Sequence, residues 1–265
     1  MTVSSRVVAA VALAGVFGLV VGSFLNVVVW RVPRGESIVT PPSRCPGCGH
    51  HVRPRDNVPV LSWLVLRGHC RDCGTGISAR YPVVELLTGG LFALTAWRIG
   101  LHWPLPAFLY LVAVGVALSF IDLDVKRLPN ALTLPSYVVG AVALSAAALL
   151  DHQPIRLLHA GVGMAALYAV YYLLMVLKPG GMGFGDVKLA GVLGMFLGFL
   201  GWGPLVVGAF LAFLLGGLGG VGLLLVGKAG RKSRIPFGPY MVAAAFIAVT
   251  AGHQLAHAYT HAIGM

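Results

Sequence analysis

The chain has 265 residues, of which 58% are hydrophobic and 10% charged, with a mean hydropathy of +0.87. A soluble domain carries roughly 25% charged residues, so too little polar surface exists here to coat a water-soluble globule. Apolar runs of about 20 residues recur along the chain, each long enough to cross a bilayer as a helix, whereas barrel strands alternate over about ten residues. The fold class is an all-α polytopic membrane protein.

Taken in order, eight spans are expected, at about 7–29, 83–98, 104–122, 132–150, 156–177, 186–200, 204–227 and 237–258. The first lacks a strong basic n-region and runs directly into a polar loop, which reads as a retained helix and not a cleaved signal. The chain thus divides into a first transmembrane helix (1–30), a loop domain (31–80) and a transmembrane core (81–265). The sixth span is the shortest. Its fifteen residues rise about 22 Å against a hydrocarbon layer of about 30 Å, so it is either buried among neighbours or only partly inserted. Gly194/Gly198 and Gly216/Gly220 have the spacing that lets membrane helices approach closely.

The loop holds all four cysteines, as Cys45-Pro-Gly-Cys48-Gly and Cys70-Arg-Asp-Cys73-Gly. Two C-x-x-C pairs at this separation resemble the knuckles of a zinc ribbon, and each following glycine permits the turn that aims amides at sulfur. Two disulfides are the rival reading, disfavoured on a reducing side of the membrane. Four thiolates leave no open coordination position, so the expected zinc is structural, supplying stability that so short a loop cannot obtain from a core. His50, His51 and His69 are expected to be bystanders.

The acidic residues number 8 in all. Glu36, Asp56 and Asp72 fall in the loop and Asp151 on the opposite face. Asp122, Asp124 and Asp186 fall at the ends of apolar spans, where ionisable groups are costly and usually functional. Two carboxylates meeting there could share one proton and divide the work of general base and carbonyl polarisation. Otherwise Asp186 is a helix cap and Asp122 an interface residue. Asp122 and Asp124 stand about 200° apart around a helix, so only one of them can face Asp186.

Lysines and arginines number 19 against 8 acidic residues. Sixteen fall on one side of the expected spans: Arg31, Arg34, Arg44, Arg53, Arg55, Arg67, Arg71 and Arg80 in the loop, then Lys126, Arg127, Lys178, Lys188, Lys228, Arg231, Lys232 and Arg234. Only Arg6, Arg98 and Arg156 fall on the other. Basic loops stay in the cytoplasm, so both termini are expected outside and the carboxylates at the cytoplasmic edge. A basic rim attracts anionic lipid headgroups, so the charge calls for membrane lipids as partners and for no nucleic acid.

Six ordered stretches carry a resemblance: Gly22-Ser-Phe-Leu-Asn26 through Arg31, the paired C-x-x-C loop, Arg80-Tyr-Pro-Val-Val-Glu85-Leu-Leu87, Ile121-Asp-Leu-Asp124 with Leu128-Pro129, Gly181-Met-Gly-Phe-Gly-Asp186-Val-Lys188-Leu189, and Ile235-Pro-Phe-Gly-Pro-Tyr240. In these the chain resembles the type IV prepilin peptidases, membrane aspartic proteases of the GxGD type. The resemblance implies that Asp122 and Asp186 are the catalytic pair and that 81–265 is the peptidase core. It implies removal of the leader of type IV prepilin-like precursors at the inner membrane. It also implies methylation of the new N-terminal amine from S-adenosylmethionine, since the cysteine loop resembles that of the bifunctional members. No glycine-rich nucleotide loop marks a methyl-donor site. Glu85, Asn26, Arg31 and Lys188 are candidates for substrate or methylation contacts, with structural pairing the alternative for Glu85, Asn26 and Arg31. Asn130 stands where many members have an acidic residue.

Overall fold

The computed structural model describes residues 5–178, 180–226 and 236–262, apart from the side chain of Arg6. The expected basic residues Lys228, Arg231, Lys232 and Arg234, and the motif residue Ile235, lie outside the described residues. The helices are α1 (Ser5–Arg31), a short α2 (Leu61–Val65), α3 (Arg80–Ile99), α4 (Leu105–Val125), α5 (Asn130–Leu150), α6 (Ile155–Leu177), α7 (Phe184–Leu200), α8 (Trp202–Leu225) and α9 (Gly238–Ala262). Seven of those described, all but α2 and α7, are long and apolar enough to cross a membrane. The protein is therefore a polytopic, all-α membrane protein.

The contacts divide the chain into two units, one up to Leu101 and the other from His102. In the first, α1 and α3 run antiparallel with the cysteine loop between them. They close tightly at Gly22, where a Cβ would come within 2.7 Å of the Glu85 Cα. Asn26 Nδ2 donates to the Tyr81 carbonyl at 3.2 Å, so two of the motifs noted in the sequence meet here.

In the second unit α7 is the central element, packed against α5, α6, α8 and α9. Its 17 residues rise about 25 Å, and every residue from Leu189 to Phe199 is buried. A helix apolar on all sides belongs in the middle of a bundle. The expected short sixth span is this helix, buried among its neighbours.

Small residues make that burial possible. A Cβ on Gly194 would run into the Gly163 carbonyl and one on Gly198 into the His159 carbonyl, so α6 and α7 touch backbone to backbone in antiparallel sense. Gly216 of α8 instead makes room for the ring of Phe237. Arg156 at the start of α6 lies over Phe199, 5.6 Å from the ring centre, and marks the end of the unit opposite the N-terminus of α7.

Overpacking a helix contact that has no room costs about 1–3 kcal/mol. Gly194→Val is expected to lower the thermal unfolding midpoint of the detergent-solubilised protein. Gly217→Ala, where an added methyl meets nothing within 4 Å, should leave the midpoint unchanged or raise it.

Candidate active site and metal cluster

Asp122 lies in the last turn of α4 and is 5% exposed, while Asp124, two residues on, is exposed. The helical rotation between them puts Asp122 inside the bundle and Asp124 outside. Asp122 Oδ2 accepts a hydrogen bond of 3.0 Å from the backbone N–H of Gly238, the first residue of α9. A Cβ on residue 238 would stand 2.9 Å from that oxygen, so only glycine lets the carboxylate approach so closely. A helix N-terminus offers unpaired N–H groups and the positive end of the helix dipole, a suitable counterpart for an anion.

Asp186 is the third residue of α7 and half-buried. Its Oδ2 reaches back to accept the N–H of Gly183, the N-cap residue, at 3.1 Å. This is the acidic half of a capping box, so the cap role expected for Asp186 is present. It does not exclude a chemical one.

The two aspartates share one end of the bundle. Phe108 of α4 meets Phe196 of α7 edge to face, with centroids 5.5 Å apart. From that contact Asp122 lies about 21 Å along α4, and Asp186 about 15 Å back along α7. With α4 and α7 antiparallel, both displacements lead toward the same end. Leu128 stands beside both: a Cβ on Gly238 would meet Asp122 Oδ2 at 2.9 Å and the Leu128 side chain at 3.3 Å, and one on Gly185, next to Asp186, would meet Leu128 at 3.0 Å.

The α4–α5 turn holds this end together. Lys126 adopts a left-handed conformation, φ 51°, and Leu128 packs on Gly185, where a Cβ would come within 3.0 Å of the Leu128 Cβ. Asn130 opens α5, and its Oδ1 accepts a 2.7 Å bond from Lys188 Nζ. Lys188 also lies over the Phe184 ring at 4.6 Å, and its carbonyl accepts the Tyr137 hydroxyl at 2.7 Å. Lys188 is thus a clasp between α5 and α7. Behind Gly238, the ring of Phe237 stands 6.3 Å from Tyr171 and 5.9 Å from Phe213. Gly238 is the residue that reading the sequence left without a role. Its motif was legible, but its partner, 116 positions away, was not.

In the other unit the four cysteine sulfurs lie within 4.8 Å of one another. All four are free thiols, and Cys45 and Cys73 Sγ are 3.7 Å apart. Two matching turns build the cluster. The N–H of Gly49 bonds the Cys45 carbonyl and that of Gly74 the Cys70 carbonyl, both at 2.9 Å. Gly49 and Gly74 adopt left-handed φ of 73° and 70°, as their places after the second cysteine of each pair suggested. A hydrogen bond with the Thr75 side chain, then one with its backbone, holds the Cys73 thiol down at about 6. Arg53–Asp72 at 2.8 Å and Arg71–Asp56 at 2.7 Å tie the second knuckle to the intervening segment.

The remaining candidates have hydrogen-bond partners within the first unit. Arg31 donates to the carbonyls of Ser37 at 2.8 Å and Pro41 at 2.7 Å. Asn26 spans the Gly22 and Tyr81 carbonyls. Glu85 is buried and accepts the Val60 N–H at 2.7 Å, supporting a non-glycine residue at the unusual φ of 62°.

Residues 16–99 match the model of the Bacterial Peptidase A24 N-terminal domain, and residues 109–221 that of the Type IV leader peptidase family. A Stutzerimonas stutzeri protein named prepilin leader peptidase/N-methyltransferase is 37% identical over 280 residues, covering 97% of this chain and 96% of its own length. The chain belongs to the type IV leader peptidase family. A Pseudomonas aeruginosa protein of the same name is 37% identical and covers 93% of this chain and 92% of its own. One from Myxococcus xanthus is 43% identical over 82% of this chain and 64% of its own. No solved structure matches. Within this family member the cysteines and Glu85 fall in the first matched segment, and Asp122 and Asp186 in the second.

The Arg71 guanidinium beside Asp56 holds that carboxyl below the usual carboxylate range. Its contribution to the loop is therefore complete above the ordinary aspartate range and is lost as pH falls through the lowered value. Arg71→Gln should move the Asp56 titration midpoint upward, as read by NMR of the side-chain carboxyl.

Proposed function

We propose that this chain removes the leader of type IV prepilin-like precursors at the cytoplasmic face of the inner membrane, with Asp122 and Asp186 as the catalytic pair. One observation carries the reading: two aspartates far apart in sequence end on the same edge of the bundle, each on a backbone N–H at a helix start. Two carboxylates in electrostatic reach of each other are described by joint titration values and hold one proton between them over a range of pH.

The chemistry follows from that shared proton. The ionised carboxylate takes a proton from a water molecule as its oxygen adds to the scissile carbonyl carbon. The protonated partner donates its hydrogen to the carbonyl oxygen, giving a neutral gem-diol. Collapse of the diol breaks the carbon–nitrogen bond: the ionised carboxylate takes a proton from a diol hydroxyl while the protonated one gives its proton to the departing amine, so the pair again holds one proton. Gly238 and Gly183 keep one oxygen of each aspartate fixed, which leaves the aspartates oriented for the water between them. A precursor with a basic leader in the cytoplasm and an apolar stem in the membrane brings its scissile bond to this edge. The excess of basic residues on the same side supports the cytoplasmic orientation, with both termini outside, and favours contact with anionic lipids.

The cysteine cluster fits zinc. With zinc–sulfur bonds of about 2.3 Å, tetrahedral geometry sets sulfurs about 3.8 Å apart, against 3.7 Å between Cys45 and Cys73. Cys45, Cys48, Cys70 and Cys73 would hold the ion, which closes the loop as a structural cross-link. The relatives' names support a second activity, N-methylation of the new N-terminus from S-adenosylmethionine. Asn26, Arg31 and Glu85 hydrogen-bond within the scaffold, and no step of that transfer is assigned to them.

Asp122→Asn and Asp186→Asn should each reduce leader removal by roughly 10²–10⁴-fold while the protein still accumulates in membranes; full cleavage by either would remove the pair. Asp124→Asn should retain most activity, and a dead Asp124 variant beside an active Asp122 variant would reverse the assignment. The mass of a co-expressed precursor's mature N-terminus reads the cut and any added methyl group together. Metal analysis should find zinc in the native protein and lose it in Cys45→Ser/Cys73→Ser. Leader removal by metal-free protein with an intact loop would show the metal to be dispensable.

A further inference from the structure

The short helix α2 is amphipathic in the reverse of the usual sense. Its inward residues are polar or hydrogen-bonded: Ser62 is buried with its hydroxyl donating to the Arg55 carbonyl at 3.0 Å, and Trp63 Nε1 donates to the Ile77 carbonyl at 3.0 Å. Its outward residues are apolar, with Leu61 61%, Leu64 57% and Val65 75% exposed. In a loop dominated by charged and turn-forming residues, an exposed apolar cluster of this kind marks a contact surface.

Three observations say what covers it. The loop is anchored at both ends by the membrane-crossing helices α1 and α3, so the whole module is confined to the bilayer surface. The Glu85–Val60 hydrogen bond of 2.7 Å then fixes the depth of α2. Glu85 lies five residues into α3, about 7.5 Å from Arg80, so Val60 stands beside the first turns of that helix, where it enters the apolar layer. At the end of α1, Trp30 is exposed with the Arg34 guanidinium 3.6 Å from its ring centre, the pairing expected of a membrane–water boundary. Charge points the same way. Arg55, whose carbonyl receives Ser62, and Arg67, two residues past α2, are exposed at its two ends. Arg53 and Arg71 have aspartate partners, whereas Arg55 and Arg67 have no ion-pair partner among the described residues.

We infer that α2 is an interfacial anchor: Leu61, Leu64 and Val65 enter the acyl–headgroup boundary, and Arg55 and Arg67 pair with anionic phospholipid headgroups. Apolar insertion supplemented by headgroup charge is how short surface segments hold to bilayers. The anchor fastens the metal-binding module flat against the membrane at a third point, between its two helical tethers, and so limits how far the module can swing from the surface.

The test uses the full chain in nanodiscs of phosphatidylethanolamine and phosphatidylglycerol, with Leu64→p-benzoylphenylalanine as a photo-cross-linker. Because Leu64 is exposed, the replacement does not disturb the module's packing. Mass spectrometry should find predominantly phospholipid adducts at position 64. Adducts predominantly to a second copy of the chain, or to an added precursor, would overturn the inference in favour of a protein interface. In Arg55→Gln/Arg67→Gln on the same background, the ratio of phosphatidylglycerol to phosphatidylethanolamine adducts should fall by about fivefold per arginine. An unchanged ratio would overturn the headgroup pairing.

Discussion

An aspartate buried in an apolar helix bundle must have a hydrogen-bond donor or it does not stay there. The arrangement of the second unit follows from that requirement. The start of α9 supplies the donor for Asp122 and the start of α7 supplies it for Asp186. Helix N-termini have N–H groups to give without disturbing any intrahelical bond. Glycine at 238 and leucine at 128 against glycine at 185 let these helix ends close around the carboxylates. The rings of Phe237, Tyr171 and Phe213 hold the segment that carries the Gly238 amide.

The central helix α7 converts that local chemistry into a geometry. Its 17 residues lie among neighbours on several sides, and its small residues allow α6 to approach to backbone contact. A helix held on several sides does not shift or rotate freely, so the carboxylate at its start is presented at a set height. Tyr137 and Asn130 of α5 hold the same turn through Lys188. Asn130, where many members have an acidic residue, still offers Lys188 an acceptor. Here the amide oxygen accepts the lysine proton that a carboxylate would take.

The first unit solves a different problem, that of a small polar module with little core. Its order comes from paired turns around four thiols and from Arg–Asp pairs across them. Exposed ion pairs contribute little by themselves, which leaves the thiol cluster and the Glu85–Val60 contact as the principal constraints. Glu85, an acidic residue in the first turns of a membrane helix, looked like a candidate for substrate chemistry. Its carboxylate positions the backbone from which α2 starts.

Hydropathy and motif spacing alone indicated the membrane class, the eight long helices and the four-thiol cluster, and the ordered motifs carried the family resemblance. Each is a local property: apolar runs set helices, and glycine after each second cysteine sets the turn toward sulfur. The choice between Asp122 and Asp124 was open to the residues and closed by the resemblance, and the bundle supplies its physical side by burying one and exposing the other. Only tertiary structure could pair Asp122 with Gly238, Lys188 with Asn130 and Glu85 with Val60. Those bonds join residues 116, 58 and 25 positions apart. Helix packing decides which atoms meet across such separations, and a periodic pattern in one helix carries no record of the face its neighbour turns toward it.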